Sequence, residues 1–281
     1  MGAYQAKPVR LLENVHSAQG APGGDSYCAG FELEQWRCEP LARHLIEWLP
    51  EYALPEPELA ISHANAYVKL REAAIRVYTS AKYEKRGEAG EIALHAICRD
   101  FFDTIPISPR VFYKSTSNDV VKSFDMVHAR FPNGKPEIWL GESKLYTKAS
   151  DAITDAIGSV SDHLDKGFLT NQKLLLGPQI PSSTPHYDEI RALFQSQTSL
   201  DKLISAAVFV VGIFCESDAI KAAKTIDDSY REGVASEWGY LSDRVRKSGL
   251  AAKIKIALVY LPLLSKKTLV EDFDKRLKGL Q

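Results

Sequence analysis

Two acids and a lysine in strand-like runs are the residues of this chain best suited to chemistry. Glu142 and Lys144 lie two positions apart at the end of the apolar run 138–141, and Asp125 lies in the earlier run 123–127. Strand side chains alternate between faces, so Glu142 and Lys144 share one face. Carboxylates bind hard divalent cations, and a nearby ammonium group stabilises developing negative charge. These residue types are typical of metal-dependent phosphodiester hydrolysis.

An Asn-Gly pair predicts how the two runs meet. Asn133 and Gly134 separate them, and both tolerate the positive φ angles of a type I′ turn, so we expect a β-hairpin. With these two residues as the loop, Asp125 lies opposite Glu142 and shares a face with it and with Lys144. A slip of one residue would separate the three side chains.

Opposed carboxylates create a need for a cation. Asp125 and Glu142 would repel each other by up to about 1 kcal/mol in this register. Mg²⁺ usually binds one or two carboxylates and keeps several waters, so Mg²⁺, or Mn²⁺ in its place, is the expected cofactor. The alternative is a plain surface salt bridge between these acids and Lys144.

Two further acids begin an upstream amphipathic helix that continues to Phe101 and Phe102. Glu88 and Glu91 are three residues apart and therefore share a helical face. Acids in the first turn also stabilise a helix through its dipole, which explains both residues without a catalytic role. The sequence leaves both interpretations of Glu91 open and favours the structural one for Glu88.

The order of these elements resembles the PD-(D/E)XK nuclease superfamily: a helix with an acid, a strand at 110–114, the two hairpin strands and a helix near 149–166. The resemblance implies an α/β fold with a mixed central sheet flanked by helices. It also implies catalytic roles for Asp125, Glu142, Lys144 and Glu91, with the three acids binding the metal. Phe124 stands where the superfamily name has proline.

Three stretches also resemble the HamA family, the nuclease subunits of the bacterial Hachiman anti-phage defence system. They are residues 86–91, 122–126 and 139–146. This resemblance implies a deoxyribonuclease effector that is held by a superfamily 2 helicase subunit, HamB-like, and degrades DNA once released. Neither the partner nor the defence role follows from composition.

Composition indicates an intracellular globular protein. The chain has 281 residues and a net charge of −1, so no overall basic field attracts DNA. Its four cysteines form no C-x-x-C pair, and no run of about 20 apolar residues is present, so we expect a cytoplasmic protein without membrane contact. The basic residues that could contact phosphate are Lys114, Lys122, Lys148, Arg244, Arg246 and Lys247.

The chain divides into an N-terminal accessory or partner region, 1–80, and a nuclease core, 81–281. In the first region we expect a loop over about 30 residues, a helix within 31–49, and a second helix near 58–82 with apolar residues at Ile61, Val68, Ile75 and Tyr78. In the second, residues 205–214 and 252–260 are predicted strands, 217–249 and 266–279 are predicted helices, and 171–185 is a predicted loop.

The function that the sequence favours is a Mg²⁺-dependent DNA nuclease of an anti-phage complex. One alternative is a restriction or repair nuclease. Another is a partner module that keeps the nuclease fold without catalysis, although a scaffold has no need for the set of two acids and a lysine.

Overall fold

The computed structural model describes residues 7–78, 87–108 and 123–281. Its strands are β1 (Glu13–Ala18), β2 (Gly23–Cys28), β3 (Phe31–Glu32), β4 (Gln35–Trp36), β5 (Ile105–Ser108), β6 (Met126–Arg130), β7 (Glu137–Tyr146), β8 (Ala207–Glu216) and β9 (Lys255–Leu263). Its α-helices are α1 (Cys38–Glu47), α2 (Leu49–Ala53), α3 (Ala66–Val77), α4 (Glu88–Phe101), α5 (Ala149–His163), α6 (Lys166–Leu176), α7 (Tyr187–Leu193), α8 (Leu200–Ala206), α9 (Asp218–Ala222), α10 (Asp228–Lys247) and α11 (Lys266–Lys278).

A mixed central sheet organises the described part of the chain. Seven strands run in the order β1-β2-β9-β8-β7-β6-β5, and the four central strands, β2 to β7 in this order, pair in parallel. Helix α5 packs on one face against β7 and β8, with α10 beside it, and α4 packs on the other face. We call these the α5 face and the α4 face. The expected mixed sheet between helices is confirmed.

The centre of the sheet forms because its strands are apolar on both faces. Residues 207–215 of β8 are all buried, as expected for a parallel strand covered on both sides. Each large aliphatic side chain buried here stabilises the fold by about 1.5–3 kcal/mol. Strand β8 therefore gives its neighbour β7 a rigid support.

The paired part of the hairpin has the predicted register, although residues 131–136 connect the strands instead of a two-residue loop. Arg130 pairs with Glu137 and Met126 with Gly141, and the turn residues Asn133 and Gly134 have φ angles of 52° and 75°. Gly141 is needed because a Cβ atom there would lie only 2.8 Å from the Cβ of Met126. The predicted core positions Met126, His128 and Trp139 are buried.

The N-terminal region differs most from the sequence prediction. Instead of a loop over the first 30 residues, the chain forms the hairpin β1–β2, and β2 pairs in parallel with β9. Short polar strands at a sheet edge lack the apolar run that would reveal them. The division near residue 80 stays a prediction, although this pairing joins both sides of it in one sheet.

Helix boundaries differ elsewhere. The second helix, α3, covers only Ala66–Val77, and Ile61, Val68 and Ile75 are 45–54% exposed, because α3 packs through the small side chains of Ala73 and Ala74 instead. The first part of the predicted loop at 171–185, residues 171–176, belongs to α6. The predicted strand at 110–114 lies outside the described residues.

Within the described ranges, every helix is too short or too polar to cross a lipid bilayer. The four cysteines are free thiols, and burial raises the pKa of Cys28, Cys98 and Cys215, which makes these three poor nucleophiles.

Candidate functional site

The carboxyl-terminal half of β7 places Glu142 and Lys144 together on the α5 face. The Lys144 ammonium lies 2.9 Å from Oε1 of Glu142 and 2.9 Å from Oδ2 of Asp155 on α5. The Tyr146 hydroxyl, two positions further along the same face, donates to that Asp155 oxygen at 2.6 Å. Alternation along the strand aligns the three β7 side chains, and α5 supplies the second carboxylate.

Lys144 is held in its charged form by this arrangement. Burial alone lowers the pKa of the ammonium group, but the charge of Glu142 and the hydrogen bonds to both carboxylates raise it well above its usual value. Hydrogen bonds from Tyr146 and Lys144 lower the pKa of Asp155. Lys144 is therefore a fixed positive charge in this conformation, suited to charge stabilisation.

Asp125 meets the same strand at the backbone of Ser143. Its Oδ2 atom accepts a hydrogen bond from the Ser143 amide at 2.9 Å, and its own amide donates to the Gly141 carbonyl at 2.9 Å. The carboxylate is thus anchored at the residue between Glu142 and Lys144. The regular pairing ends at Met126 and Gly141, so Asp125 precedes β6 and contacts the strand backbone instead of forming the predicted pair with Glu142. The shared face of Asp125 with Glu142 and Lys144, and their catalytic roles, stay predictions.

His163, near the end of α5, contacts the other oxygen of Glu142. Its Nδ1 atom lies 3.6 Å from Oε2 of Glu142, within ion-pair distance. The His163 ring stacks on Phe168 at 4.5 Å and meets the edge of Phe124 at 4.7 Å. The buried ring of His163 therefore contacts both Glu142 and Phe124, the residue that precedes Asp125.

Glu91 belongs to α4, the helix on the other face of the sheet. Its helix, α4, packs on the face that carries Gly141 and Ser143, and Gly90 permits this approach because a Cβ there would lie 2.8 Å from the Ser143 hydroxyl. The Glu91 carboxylate accepts a hydrogen bond from Tyr52 of α2. Glu88 is also buried, at the first residue of α4. Which of the two acids assists the site stays a prediction.

Binding of a metal by Asp125, Glu142 and Glu91 stays a prediction. Within residues 7–78, 87–108 and 123–281, no three His, Cys, Asp or Glu side chains form a group ready to hold a metal ion. Asp125 and Glu142 alone match the one or two carboxylates that Mg²⁺ usually binds.

Sequence reasoning missed Asp155, Tyr146 and His163. Tyr146 carried a usable signal, because it shares the strand face of Glu142 and Lys144. Asp155 and His163 are eight residues apart on one face of α5, but no spacing links that face to β7. Of the basic candidates, Lys148 precedes α5, Arg244 donates to Thr154, and Arg246 pairs with Asp243. Lys247 ends α10, and Lys114 and Lys122 lie outside the described residues.

Comparison with known proteins gives one family and one distant relative. Anti-bacteriophage protein A of Escherichia coli (strain K12) is 20% identical over 257 residues, which is 88% of this chain and 46% of that protein. The chain thus spans less than half the length of this curated relative. No solved structure matches the chain. The HamA family profile matches residues 10–277. Since this match covers nearly the whole sequence, the chain belongs to the HamA family, which is implicated in anti-phage defence.

Proposed function

We propose that this protein is a Mg²⁺-dependent deoxyribonuclease that acts in anti-phage defence. The observation that carries the proposal is the convergence of Glu142, Lys144 and Asp125 at one end of β7, where Lys144 bridges two carboxylates. Membership of the HamA family supports the defence role. The geometry also supports a nuclease core of the PD-(D/E)XK type, because the acid, the Glu-x-Lys pair and the flanking helix α5 lie together.

The residues present fit a hard divalent cation. Asp125 and Glu142 would hold it, with Glu91 as the predicted third acid, and the remaining positions would be filled by water and phosphate oxygens. When bound, such a cation lowers the pKa of a coordinated water and polarises the phosphate. The negative charge needed to attract it is present, since Glu142 and Asp155 both contact the Lys144 ammonium and Asp125 contacts the Ser143 amide between Glu142 and Lys144.

Lys144 would stabilise the negative charge that develops on the attacked phosphate. Its ammonium is already desolvated, with a side chain only 14% exposed, so little reorganisation is needed during the reaction. Asp155 gives this ammonium a second partner, so Glu142 can turn to a cation while Lys144 stays charged. His163 limits the positions open to the Glu142 carboxylate.

The partner in this proposal is a superfamily 2 helicase subunit, HamB-like, which would restrain the nuclease until it is needed. This element rests on the family alone. Copurification from the native host, followed by identification of the bound chains, tests it independently of catalysis.

The decisive experiment compares Glu142→Gln and Lys144→Met with the parent protein in plasmid degradation, with Mg²⁺ or with EDTA. We expect Mg²⁺-dependent cleavage by the parent and a loss of at least about 100-fold in each variant, as for removal of one transition-state group elsewhere. Asp151→Asn, on the same helix as Asp155 but exposed, serves as a control that should cut normally.

Unchanged cleavage in both variants would overturn the assigned roles. A parent that binds DNA but never cleaves it, with either Mg²⁺ or Mn²⁺, would favour the non-catalytic partner module.

A further inference from the structure

A cleft of about 450 Å³ opens beside the candidate site, at the carboxyl ends of the parallel strands β7 and β8. Helices α5, α9 and α10 surround it on the α5 face. Ligands of open α/β sheets commonly bind outside the carboxyl ends of parallel strands. We propose that this cleft binds an unpaired nucleotide of the DNA substrate, so that the enzyme acts on single-stranded DNA or frayed ends. The proposal rests on the proposed nuclease function.

The cleft lining begins next to the residues around Lys144 in the chain. Thr147 lines it and directly follows Tyr146, whose hydroxyl holds Asp155, the partner of Lys144. The Lys266 ammonium lies 5.7 Å from the centre of the Tyr146 ring. At a strand rise of about 3.3 Å per residue, Lys148 lies no more than about 13 Å along the chain from Lys144. A single DNA strand can therefore span both.

Tyr240 gives the cleft an aromatic wall. The apolar stripe of α10 faces the core through Tyr230, Val234, Trp238, Leu241 and Val245. Tyr240 lies outside this stripe, is 43% exposed and lines the cleft. Stacking of a base on an aromatic side chain contributes about 1–3 kcal/mol regardless of sequence. A tyrosine at this position is thus suited to hold an unstacked base.

Lys148 supplies a cation for phosphate. It is exposed at the N-cap of α5 and has no ion-pair partner among residues 7–78, 87–108 and 123–281. Lys221, also in the lining, pairs with Asp218 at 3.2 Å. Lys148 is therefore the lining cation available to a phosphate group.

The acids of the cleft are engaged by protein donors. Glu237 accepts from the hydroxyls of Ser217 and Tyr260 and from the amides of Asp218 and Ala219, at 2.7–3.1 Å. Glu216 accepts from the Lys266 amide at 3.1 Å. These contacts tie the acids to the fold and reduce their repulsion of a phosphate beside Lys148.

The size of the cleft restricts the form of the DNA. Its volume lies within the range of about 300–1,000 Å³ for small-ligand pockets. Such a space admits a base with its sugar but not a stacked, base-paired duplex. The substrate strand must therefore be unpaired where it enters.

The test measures DNA binding in the full chain, with Glu142→Gln as the background so that cleavage does not interfere. The probes are a fluorescein-labelled oligo-dT strand and a blunt duplex of equal length, followed by fluorescence anisotropy. Tyr240→Leu and Lys148→Gln are compared with Tyr67→Leu and Lys202→Gln, which alter an exposed tyrosine and an exposed lysine elsewhere. We expect Tyr240→Leu to weaken single-strand binding about 5- to 30-fold.

Lys148→Gln should weaken single-strand binding less and make its salt dependence shallower. Neither control should change single-strand binding more than twofold. Equal binding by Tyr240→Leu and its control, or an equal loss on strand and duplex, would overturn the proposal. If the parent never cleaves DNA but Tyr240→Leu still loses single-strand binding selectively, the cleft assignment stands and the nuclease proposal fails.

Discussion

Two clusters of carboxylates and cations lie on opposite faces of the same sheet, and only one is open. The open cluster consists of Glu142, Lys144, Tyr146, Asp155 and His163 on the α5 face. The buried cluster consists of Glu51, His95, Arg99, Thr104 and His128 on the α4 face. The Asp155 side chain is 48% exposed, whereas that of Arg99 is only 2% exposed.

The buried cluster is a closed hydrogen-bond network. Glu51 accepts from Arg99 and lies 3.2 Å from His95, and His95 lies 3.1 Å from His128, which contacts Thr104 at 2.8 Å. Burial alone would raise the pKa of Glu51, but His95 and Arg99 lower it, and burial also lowers the pKa of both histidines. Shifted pKa values therefore occur in both clusters and do not identify the functional one.

Access is what separates the two clusters. The Lys144 side chain is 14% exposed and its partner Asp155 is 48% exposed, whereas the Arg99 side chain is only 2% exposed and pairs with Glu51 of α2. The same residue types therefore stabilise the fold where they are enclosed, and they can do chemistry where one partner is exposed to solvent.

The largest expected contrast concerns removal of the cation from each cluster. Arg99→Met should lower the free energy of unfolding by about 3–5 kcal/mol, because it leaves the Glu51 charge buried without its main partner. Lys144→Met should cost about 1–3 kcal/mol, because one of the two carboxylates that it leaves, Asp155, is half exposed to water, although the other, Glu142, is buried. Urea unfolding followed by circular dichroism measures both. Equal losses would remove the distinction between the clusters.

A smaller contrast compares two tyrosines that each donate to a carboxylate. Tyr52→Phe removes the hydroxyl that binds Glu91 in the interior, which should cost about 1.5–3 kcal/mol. Tyr146→Phe removes the hydroxyl that binds the exposed Asp155, and water can replace it, so the cost should stay below about 1 kcal/mol. Thermal unfolding of both variants at one pH is the measurement, and a larger loss for Tyr146→Phe would contradict it.

Acid should destabilise the protein through the buried cluster. A histidine with a lowered pKa stays neutral in the fold but binds a proton when unfolded, so stability falls as pH drops below about 6.5. Between pH 7.5 and 5, each such histidine should lower the free energy of unfolding by up to about 2 kcal/mol. His128→Asn should flatten this pH dependence, whereas the exposed His63→Asn should not. A slope unchanged by His128→Asn would exclude this cause.

The smallest expected effect concerns metal affinity in the open cluster. Asp155→Asn removes one of the two carboxylates that contact Lys144. The ammonium group then binds Glu142 more strongly and competes with a divalent cation for that carboxylate. We expect Mn²⁺ binding, measured by calorimetry without DNA, to weaken about 5- to 10-fold, or roughly 1–1.4 kcal/mol. Asp155→Glu should restore part of the affinity. Asp151→Asn removes the same charge from the same helix. An equal loss of Mn²⁺ affinity in that variant would show that long-range electrostatics, and not the contact with Lys144, causes the effect.

Local patterns were sufficient for much of the fold. The Asn133-Gly134 turn fixed the β6–β7 register, because both residues accept positive φ angles that most side chains avoid. The apolar runs of β8 and β9 identified buried strands. The β1–β2 hairpin was missed, since its strands are short, polar and held by pairing with β9, a contact that no local pattern encodes.

The sequence by itself determined that β6 and β7 pair as a hairpin and that Glu142 and Lys144 share one face of β7, because side-chain alternation and turn chemistry are local properties of the chain. Only the tertiary structure decided which helix covers that face. It placed Asp155 and His163 of α5 beside Lys144 and Glu142, put helix α4, which carries Glu91, on the opposite face, and opened the cleft at Tyr240. These relations depend on how helices pack across the sheet, which spacing along one element cannot specify.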